Sequence, residues 1–337
     1  MTSVSTAIIG MGFMGRTHAR SYHAAAAAGY PCSLRWVCDP DASRLDPTAP
    51  VAGNLGSGEG PAWDVNSVRA TTSVDEVLSS DIDLVSICTH TDSHVDLALR
   101  ALASGKHVLL EKPVAVNAAE VRRLAGAARD AGTLIMPAMC MRFWPGWEWL
   151  RDRVRDGSLG TLRSATFQRL GSGPSWAAEF YQNTARSGGA LIDLHIHDAD
   201  FIHWCFGPPA AVSSTGGPMH VSTHYHYPDG PSHITAEGAW DLAPGAGFRM
   251  KYLANFELGS AEFDIASKTP LVLHTKDGSQ PIGLSTTTGY DGQVQHLVSL
   301  IAEGRRDLIA TLDQAAAVAA MLEAEATSAR EHRIVNL

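Results

Sequence analysis

The chain has 337 residues, of which 45% are hydrophobic and 18% are charged, and its formal net charge is −9 at pH 7. This length accommodates two domains of ordinary size, and the hydrophobic fraction is typical of a globular protein. The negative charge argues against nucleic acid or an anionic membrane as the main partner, since both are bound through basic patches.

The amino-terminal residues indicate a buried strand and not a targeting segment. They lack a basic start and soon reach glycine residues, and no stretch of about 18 apolar residues occurs anywhere in the chain. The five cysteines are scattered without CxxC spacing, which is typical of reduced thiols. We therefore expect a cytoplasmic protein without a membrane span, a disulfide framework or a cysteine zinc site.

Strand and helix patterns alternate through residues 1–140, which predicts a doubly wound parallel sheet. The apolar runs TAIIG, SLRWVCD, DLVSICT, HVLLEK and TLIMPAMC indicate its strands. Helical segments lie between them, and one of them begins with the capping box formed by Ser73 and Glu76. Residues 46–66 are rich in glycine and proline and indicate a long surface loop.

After residue 157 the pattern becomes rich in strands separated by turn residues, which predicts a mostly antiparallel sheet. Two helical segments over residues 291–303 and 313–330 end the chain. The predicted fold is therefore an α/β domain over residues 1–140 and an α+β domain with a large, mostly antiparallel open sheet over residues 141–310. A carboxyl-terminal helix and tail occupy residues 311–337.

The sequence GMGFMG follows the first strand and opens the first helix, a context that makes it a candidate dinucleotide-binding loop. Gly10 permits the tight turn, Gly12 lets a pyrophosphate approach the backbone, and Gly15 allows the helix to pack closely on the strand. Phe13 and Met14 complete the loop at the positive end of the helix. The alternative is a glycine turn that binds no ligand.

Asp39 ends the second strand, 24 residues after Gly15. An acidic residue at about this distance binds the adenine ribose hydroxyls in dinucleotide-binding domains. Its carboxylate would repel the 2′-phosphate of NADP, so NAD is the favoured cofactor. Arg44 is close in the sequence and would moderate that preference, so NADP stays possible.

Two other segments carry candidate catalytic side chains. Lys112, in Glu111-Lys112-Pro113, follows a strand at the edge where open α/β sheets bind ligands. There it would hold a substrate hydroxyl and lower the pKa of that hydroxyl. The alternative is an ordinary surface lysine before a turn.

In GGALIDLHIHDADFIHW, Asp193 and His197 are four residues apart and would share one face of a continuous helix. An imidazole there can accept a proton from an alcohol as hydride leaves, with the carboxylate orienting the ring.

A metal site is the weaker interpretation of this Asp/His segment. The spacing D-x-H-x-H-D does not place three ligands on one helical face, and it differs from the HExxH arrangement. We therefore predict no metal ion and assign Asp198, Asp200 and His203 to the helix itself. His224 and His226 would share a polar face of a strand.

Together these motifs resemble the Gfo/Idh/MocA oxidoreductases, the family of glucose–fructose oxidoreductase and inositol 2-dehydrogenase. The resemblance runs nearly from end to end, through AIIGMGFMGRTHA, HVLLEKPVA, RFWP, the Asp/His segment and AEATSAREHRIVNL. It implies an amino-terminal Rossmann domain and a second domain whose open sheet face forms a homodimer or homotetramer. It also implies a last helix that returns to the first domain.

The resemblance assigns residues to three tasks. It assigns the reaction to Lys112, Asp193 and His197, with His197 as the proton acceptor or donor. It assigns the neighbourhood of the cofactor to Thr89, His94, Glu111 and Lys112. It assigns the border of the substrate site to Arg142.

The chain departs from the family pattern at three places. His90 replaces the usual proline after Thr89, and residues 46–66 replace a short helical segment. His195 stands where glycine is often found, which makes it a candidate substrate contact.

The predicted function is that of an NAD(P)-dependent dehydrogenase, which oxidises a secondary hydroxyl of a sugar, cyclitol or sugar derivative. The alternatives are an NAD-dependent redox-type glycoside hydrolase and a non-catalytic nucleotide-sensing regulator.

Overall fold

The computed structural model describes residues 3–49, 53 and 60–337, within which the chain forms two compact units. The first unit comprises Met1–Cys140 and Gly289–Ala316, and the second comprises Met141–Thr288 and Ala317–Leu337. The predicted loop over residues 46–66 lies partly outside the described residues. In the part of the chain that is described, no helix is long and apolar enough to cross a membrane.

Six parallel strands form the sheet of the first unit, in agreement with the predicted fold class. They are β1 (Val4–Ile9), β2 (Cys32–Cys38), β3 (Arg69–Thr71), β4 (Leu84–Ile87), β5 (His107–Leu110) and β6 (Ile135–Pro137). The helices between them are α1 (Phe13–Ala27), α2 (Val74–Leu78), α3 (His94–Ala103) and α4 (Ala118–Asp130). The spatial order β3-β2-β1-β4-β5-β6 changes direction between β1 and β4, which is where sheets of this type bind ligands.

The helix starts of this unit follow from their side chains. The Ser73 hydroxyl accepts the N–H of Glu76 at 3.3 Å and begins α2, and the Asn117 side chain accepts the N–H of Glu120 at 2.9 Å and begins α4. The predicted cap at Ser73 is therefore confirmed. The Glu76 carboxylate accepts the Thr71 hydroxyl, so it does not complete the reciprocal half of a capping box.

A nine-stranded, mostly antiparallel sheet forms the second unit, as predicted. Its strands are β7 (Leu162–Leu170), β8 (Ala211–Gly217), β9 (His220–His226), β10 (His233–Ala239), β11 (Arg249–Phe256), β12 (Ser260–Asp264), β13 (Leu271–Thr275), β14 (Gly278–Pro281) and β15 (Val335–Asn336). Its order is β14-β13-β12-β11-β7-β10-β9-β8-β15, and only the described β7–β10 pair is parallel. The helices of this part are α5 (Pro145–Asp156), α6 (Ala178–Tyr181), α7 (Thr184–Ser187), α8 (Gly189–Asp193) and α9 (Ile196–Phe206).

The two faces of this sheet differ in burial because side chains alternate along each strand. One face packs against helices through an aromatic core, in which Trp147 of α5 meets Tyr252 at 5.2 Å and Phe263 at 4.6 Å between ring centroids. Phe201 of α9 lies 5.8 Å from Phe167 in the same core. The other face carries half-exposed, mostly polar side chains. The sheet therefore fixes α5 and α9 on one side and leaves its second side open.

The end of the chain, which the predicted domains divide at residue 310, is shared between the two units. Helix α10 (Gly289–Glu303) belongs to the first unit, where it packs on α1 and Ser21 donates to Asp291 at 2.7 Å. Helix α11 (Leu312–Glu331) begins in the first unit and continues into the second, where β15 pairs with β8. Hydrophobic periodicity locates such helices along the chain, but it does not identify the surface on which each one packs.

Candidate active site

The loop between β1 and α1 leaves room for a phosphate group against the backbone. Gly10 has a φ of +95°, and a Cβ there would lie 2.6 Å from the Cys88 carbonyl oxygen. A Cβ on Gly15 would overlap the Gly10 carbonyl, whereas one on Gly12 would touch only the Arg44 guanidinium at 3.8 Å. Gly12 precedes α1, whose first turn has no acidic side chain and presents N–H groups. These residues fit the pyrophosphate of NAD.

Asp39 holds this loop in place. Its Oδ2 accepts the N–H of Met11 at 2.7 Å, its Oδ1 accepts the N–H of Asp41 at 2.9 Å, and the side chain is buried. One guanidinium nitrogen of Arg44 lies 3.9 Å from Oδ2. The carboxylate therefore shapes the glycine loop, a contact that sequence reasoning missed. Its predicted bond to a ribose remains a proposal.

Arg16 is a second residue that sequence reasoning missed. Its buried guanidinium donates to the carbonyls of Arg44, Asp46 and Pro47 at 3.0, 2.7 and 3.1 Å. It thereby ties the segment that follows β2 to α1. The only signal in the sequence is an arginine directly after the last glycine of GMGFMG.

We expect Arg44→Ala to strengthen the preference for NAD over NADP. The Arg44 guanidinium is nearly half exposed beside Asp39, where it can pair with a 2′-phosphate that the aspartate alone would repel. The Kd for NADP is expected to rise about tenfold and that for NAD to change less than about twofold, as measured by fluorescence titration. Arg35→Ala, at an exposed position in β2, is the matched control. Equal changes for both cofactors would contradict this assignment.

Lys112 lies two residues after the end of β5, and buried polar side chains hold its backbone. Glu111 accepts the N–H of Lys112 with Oε2 at 3.0 Å, and its Oε1 lies 3.0 Å from Nε2 of His18 in α1. The side-chain nitrogen of Gln293, in α10, lies 3.3 Å from the same imidazole nitrogen. His18 and Gln293 were missed, since nothing in the sequence pairs a helix near residue 18 with one near residue 293. The Lys112 side chain is half-buried.

His94 is a structural link between two strand ends. Its Nδ1 lies 2.8 Å from the Pro113 carbonyl oxygen and its Nε2 lies 3.0 Å from that of Thr89, and the ring is buried. Desolvation lowers the pKa of His94, and a neutral imidazole donates to one of these carbonyls at a time. His94 thus links the backbone at Thr89 and Pro113, and its predicted place beside the cofactor stays a prediction. The half-buried Thr89 accepts the Ser93 hydroxyl at 2.7 Å.

The helix on which Asp193 and His197 were expected to share a face is interrupted. Helix α8 ends at Asp193 and α9 begins at Ile196. In the break, the N–H of His195 donates to the Ala190 carbonyl at 2.7 Å. Asp193 thus ends one helix, largely buried, and His197 lies half-buried in the first turn of the next. The acid/base pairing of these two residues remains a proposal.

Asp198 and Asp200 make contacts beyond their own helix, which corrects the prediction that they serve the helix alone. Asp198 accepts two hydrogen bonds from Arg169 of β7, at 3.0 and 2.9 Å. Asp200 accepts two from Arg142, at 2.9 and 2.6 Å, and all four side chains are buried. Arg142, predicted to border the substrate, therefore places its guanidinium in an interior ion pair. The two pairs fix α9 to its surroundings. Burial lowers the pKa of His203 in the same helix.

His195 also lies in the interior, and its predicted contact with substrate stays a prediction. The side chain is fully buried, and its Nε2 lies 3.0 Å from Oε2 of Glu325 and 3.1 Å from the hydroxyl of Tyr225. The break between α8 and α9 directs this ring toward the sheet. Across residues 3–49, 53 and 60–337, no three histidine, cysteine, aspartate or glutamate side chains are arranged to hold a metal ion.

Comparison with protein families gives two matches in the same chain. Residues 4–139 match the model of an oxidoreductase family with an NAD-binding Rossmann fold. Residues 147–238 match the GFO/IDH/MocA carboxyl-terminal domain. The first match contains the glycine loop and Lys112, and the second contains Asp193 and His197.

Curated relatives are similar over part of their length. The trans-1,2-dihydrobenzene-1,2-diol dehydrogenase of Mus musculus is 35% identical over 174 residues, which are 50% of this chain and 51% of that protein. The enzyme of the same name from Bos taurus is 38% identical over 147 residues, or 40% of this chain and 41% of that protein. The chain thus spans about half or less of the length of these relatives.

Solved structures share the fold over the whole chain. Levoglucosan dehydrogenase in complex with NADH and levoglucosan has a TM-score of 0.84 and 20% identity, and the match covers 100% of this chain and 99% of that one. A putative myo-inositol dehydrogenase from Sinorhizobium meliloti 1021 has a TM-score of 0.79 and 22% identity, with 99% of each chain covered. With both family models matched in order along its sequence, the chain belongs to the GFO/IDH/MocA family of oxidoreductases.

Proposed function

We propose that this protein is an NAD(P)-dependent dehydrogenase that oxidises a secondary hydroxyl of a sugar, a cyclitol or a sugar derivative. The observation that carries the proposal is the setting of Lys112. It follows β5 at the carboxyl edge of an NAD-binding Rossmann sheet, and the buried Glu111–His18 pair holds its backbone. A lysine held at this edge is suited to a substrate oxygen beside a dinucleotide.

The chemistry assigns one task to each of three side chains. His197 accepts the hydroxyl proton, and Asp193 orients the imidazole and stabilises its charged form. Lys112 holds the hydroxyl oxygen and offsets the negative charge that develops there. NAD bound at the glycine loop would supply the hydride acceptor, so that an alcohol that gives its proton to His197 would become a carbonyl compound.

A substrate screen tests this function. Purified protein is mixed with NAD or NADP and a panel that contains inositols, aldoses, levoglucosan and a cyclic trans-dihydrodiol, and the absorbance of reduced nicotinamide is followed. We expect turnover with at least one class of polyol. Turnover with none of them would contradict the proposal. Release of a sugar from a glycoside without accumulation of NADH would indicate the redox-type hydrolase in its place.

We also propose that the open sheet face of the second unit joins copies of the chain into a dimer or tetramer. This face carries Leu253, 44% exposed at a central strand, and the neighbouring rings of His224 and His226, 4.5 Å apart. Light scattering with size-exclusion chromatography measures the assembly, and a monomer at micromolar concentration would contradict the proposed dimer or tetramer.

We also propose a cytoplasmic location, which the free thiol state of all five cysteines supports.

A further inference from the structure

A buried polar network connects the break between α8 and α9 to the carboxyl-terminal helix. The His195 imidazole lies between Glu325 of α11 and Tyr225 of β9. The Glu325 carboxylate also accepts the Thr223 hydroxyl at 2.9 Å, and Thr223 is 2.8 Å from the Ser214 hydroxyl. The network thus joins one turn of the backbone to two strands and a helix of the same unit.

The sheet has space for this imidazole because β10 carries a glycine beneath it. A Cβ on Gly238 would lie 2.7 Å from the Cβ of His195 and 3.0 Å from its Nδ1. Any other residue at this position would push the ring away from Glu325. The ring is therefore enclosed by a glycine on one side and by its two polar partners on the other.

Several polar groups face the buried Glu325 side chain. A buried carboxyl group is costly unless a cation or hydrogen-bond donors face it. Burial raises the pKa of Tyr225, so its hydroxyl stays a neutral hydrogen-bond donor. Glu325 is thus faced by the His195 imidazole and by the hydroxyl groups of Thr223 and Tyr225.

The backbone of His195 connects the ends of both helices. Its N–H donates to the Ala190 carbonyl of α8, and its carbonyl accepts the N–H groups of Asp198 and Ala199 in α9, at 3.1 and 3.0 Å. Contacts that fix the His195 ring therefore also fix this turn of the backbone. His195 is the middle one of the three residues between Asp193 and His197.

We propose that His195 is a positioning residue, which fixes the turn that carries Asp193 and His197 by means of its contacts with Glu325 and Tyr225. The inference rests on the proposed function, in which those two side chains perform the acid/base step. A displacement of about 1 Å at a reacting group can lower a rate about 10²-fold, so a loosened turn reduces kcat. The cofactor loop belongs to the first unit and the network to the second, and none of the network's residues is assigned to NAD, so we expect little change in NAD binding.

Two amide substitutions that differ only in reach test the proposal. In His195→Gln the side-chain nitrogen can occupy the position of Nε2 and donate to Glu325, whereas in His195→Asn it is too short to do so. We expect His195→Asn to lower kcat about 10²-fold and His195→Gln to stay within about fivefold of wild type. The KM for NAD is expected to change less than about twofold in both. Because loss of folded protein also lowers the apparent kcat at constant KM, kcat is calculated per folded molecule, with the folded fraction measured by circular dichroism.

Gly238→Ala perturbs the same ring without changing any charge. We expect it to lower kcat in the wild-type background and to have much less effect in His195→Gly, where the added methyl group meets no ring. This non-additivity remains measurable if His195→Asn does not fold. Additive effects of the two substitutions, or equal kcat values for His195→Asn and wild type, would overturn the proposal.

Hydrogen exchange separates the failure of this inference from that of the proposed function. Amides of residues 189–199 are expected to exchange faster in His195→Asn than in His195→Gln, whatever the substrate is. If the protein oxidises no polyol but exchange is faster in His195→Asn, the dehydrogenase assignment is rejected and the positioning role of His195 is supported. If the enzyme is active and His195→Asn changes neither exchange nor kcat, only the positioning role of His195 is rejected.

Discussion

Lys112→Ala is expected to lower kcat by about 10³-fold while it leaves NAD binding nearly intact. Removal of a single group that stabilises developing charge at a reacting oxygen costs about 10²–10³ in rate, and Lys112 is also expected to position that oxygen. The NAD pyrophosphate is assigned to the loop around Gly10 and Gly12, so the Kd for NAD should change less than about threefold. Steady-state kinetics and fluorescence titration measure the two quantities.

Lys106→Ala is the matched control for this substitution. Lys106 precedes β5 and Lys112 follows it, so the two lysines flank the same strand at opposite ends, and both are half-buried. Lys106 donates to the Ser80 carbonyl at 2.9 Å, at the amino end of the strand. We expect normal kcat in Lys106→Ala. Turnover within tenfold of wild type in Lys112→Ala would remove Lys112 from the reaction.

Local sequence patterns predicted the sheets of this protein well. β4 is buried along its whole length, as a central parallel strand must be, and its sequence is a continuous apolar run apart from Ser86. The alternating burial of β9 likewise follows from the alternation in HVSTHYH. The partners of the last helices could not be predicted in this way. Their apolar faces fit several surfaces, and the choice between those surfaces depends on the folded chain.

The candidate site shows the same limit on a smaller scale. The types of Lys112, Asp193 and His197 and their places after strand and helix signals could be seen in the sequence. Arg142 and His195 could not be placed, because a polar side chain near a site faces either substrate or a buried partner. The partner of His195 is Glu325, 130 residues farther along the chain, and no local pattern joins two such positions.

Asp200→Ala is expected to destabilise the second unit by about 3–5 kcal/mol, because it removes the bidentate partner of a buried guanidinium. The Arg142 side chain has no exposed surface, and Asp200 accepts from both its Nε and one Nη. The desolvated charge cannot recover its hydration without opening the interior. Urea denaturation followed by far-UV circular dichroism measures the free energy of unfolding.

An exposed pair of similar geometry separates the effect of burial from that of the ion pair itself. Arg305 donates to both carboxylate oxygens of Asp307, but both side chains are more than half exposed. We expect Asp307→Ala to leave Tm nearly unchanged, because water replaces the lost partner. The double variant Arg142→Met/Asp200→Leu removes both buried charges and should recover much of the stability lost in Asp200→Ala. If Asp200→Ala and Asp307→Ala were equally mild, Arg142 would have access to water, and a role at the substrate site would again be open to it.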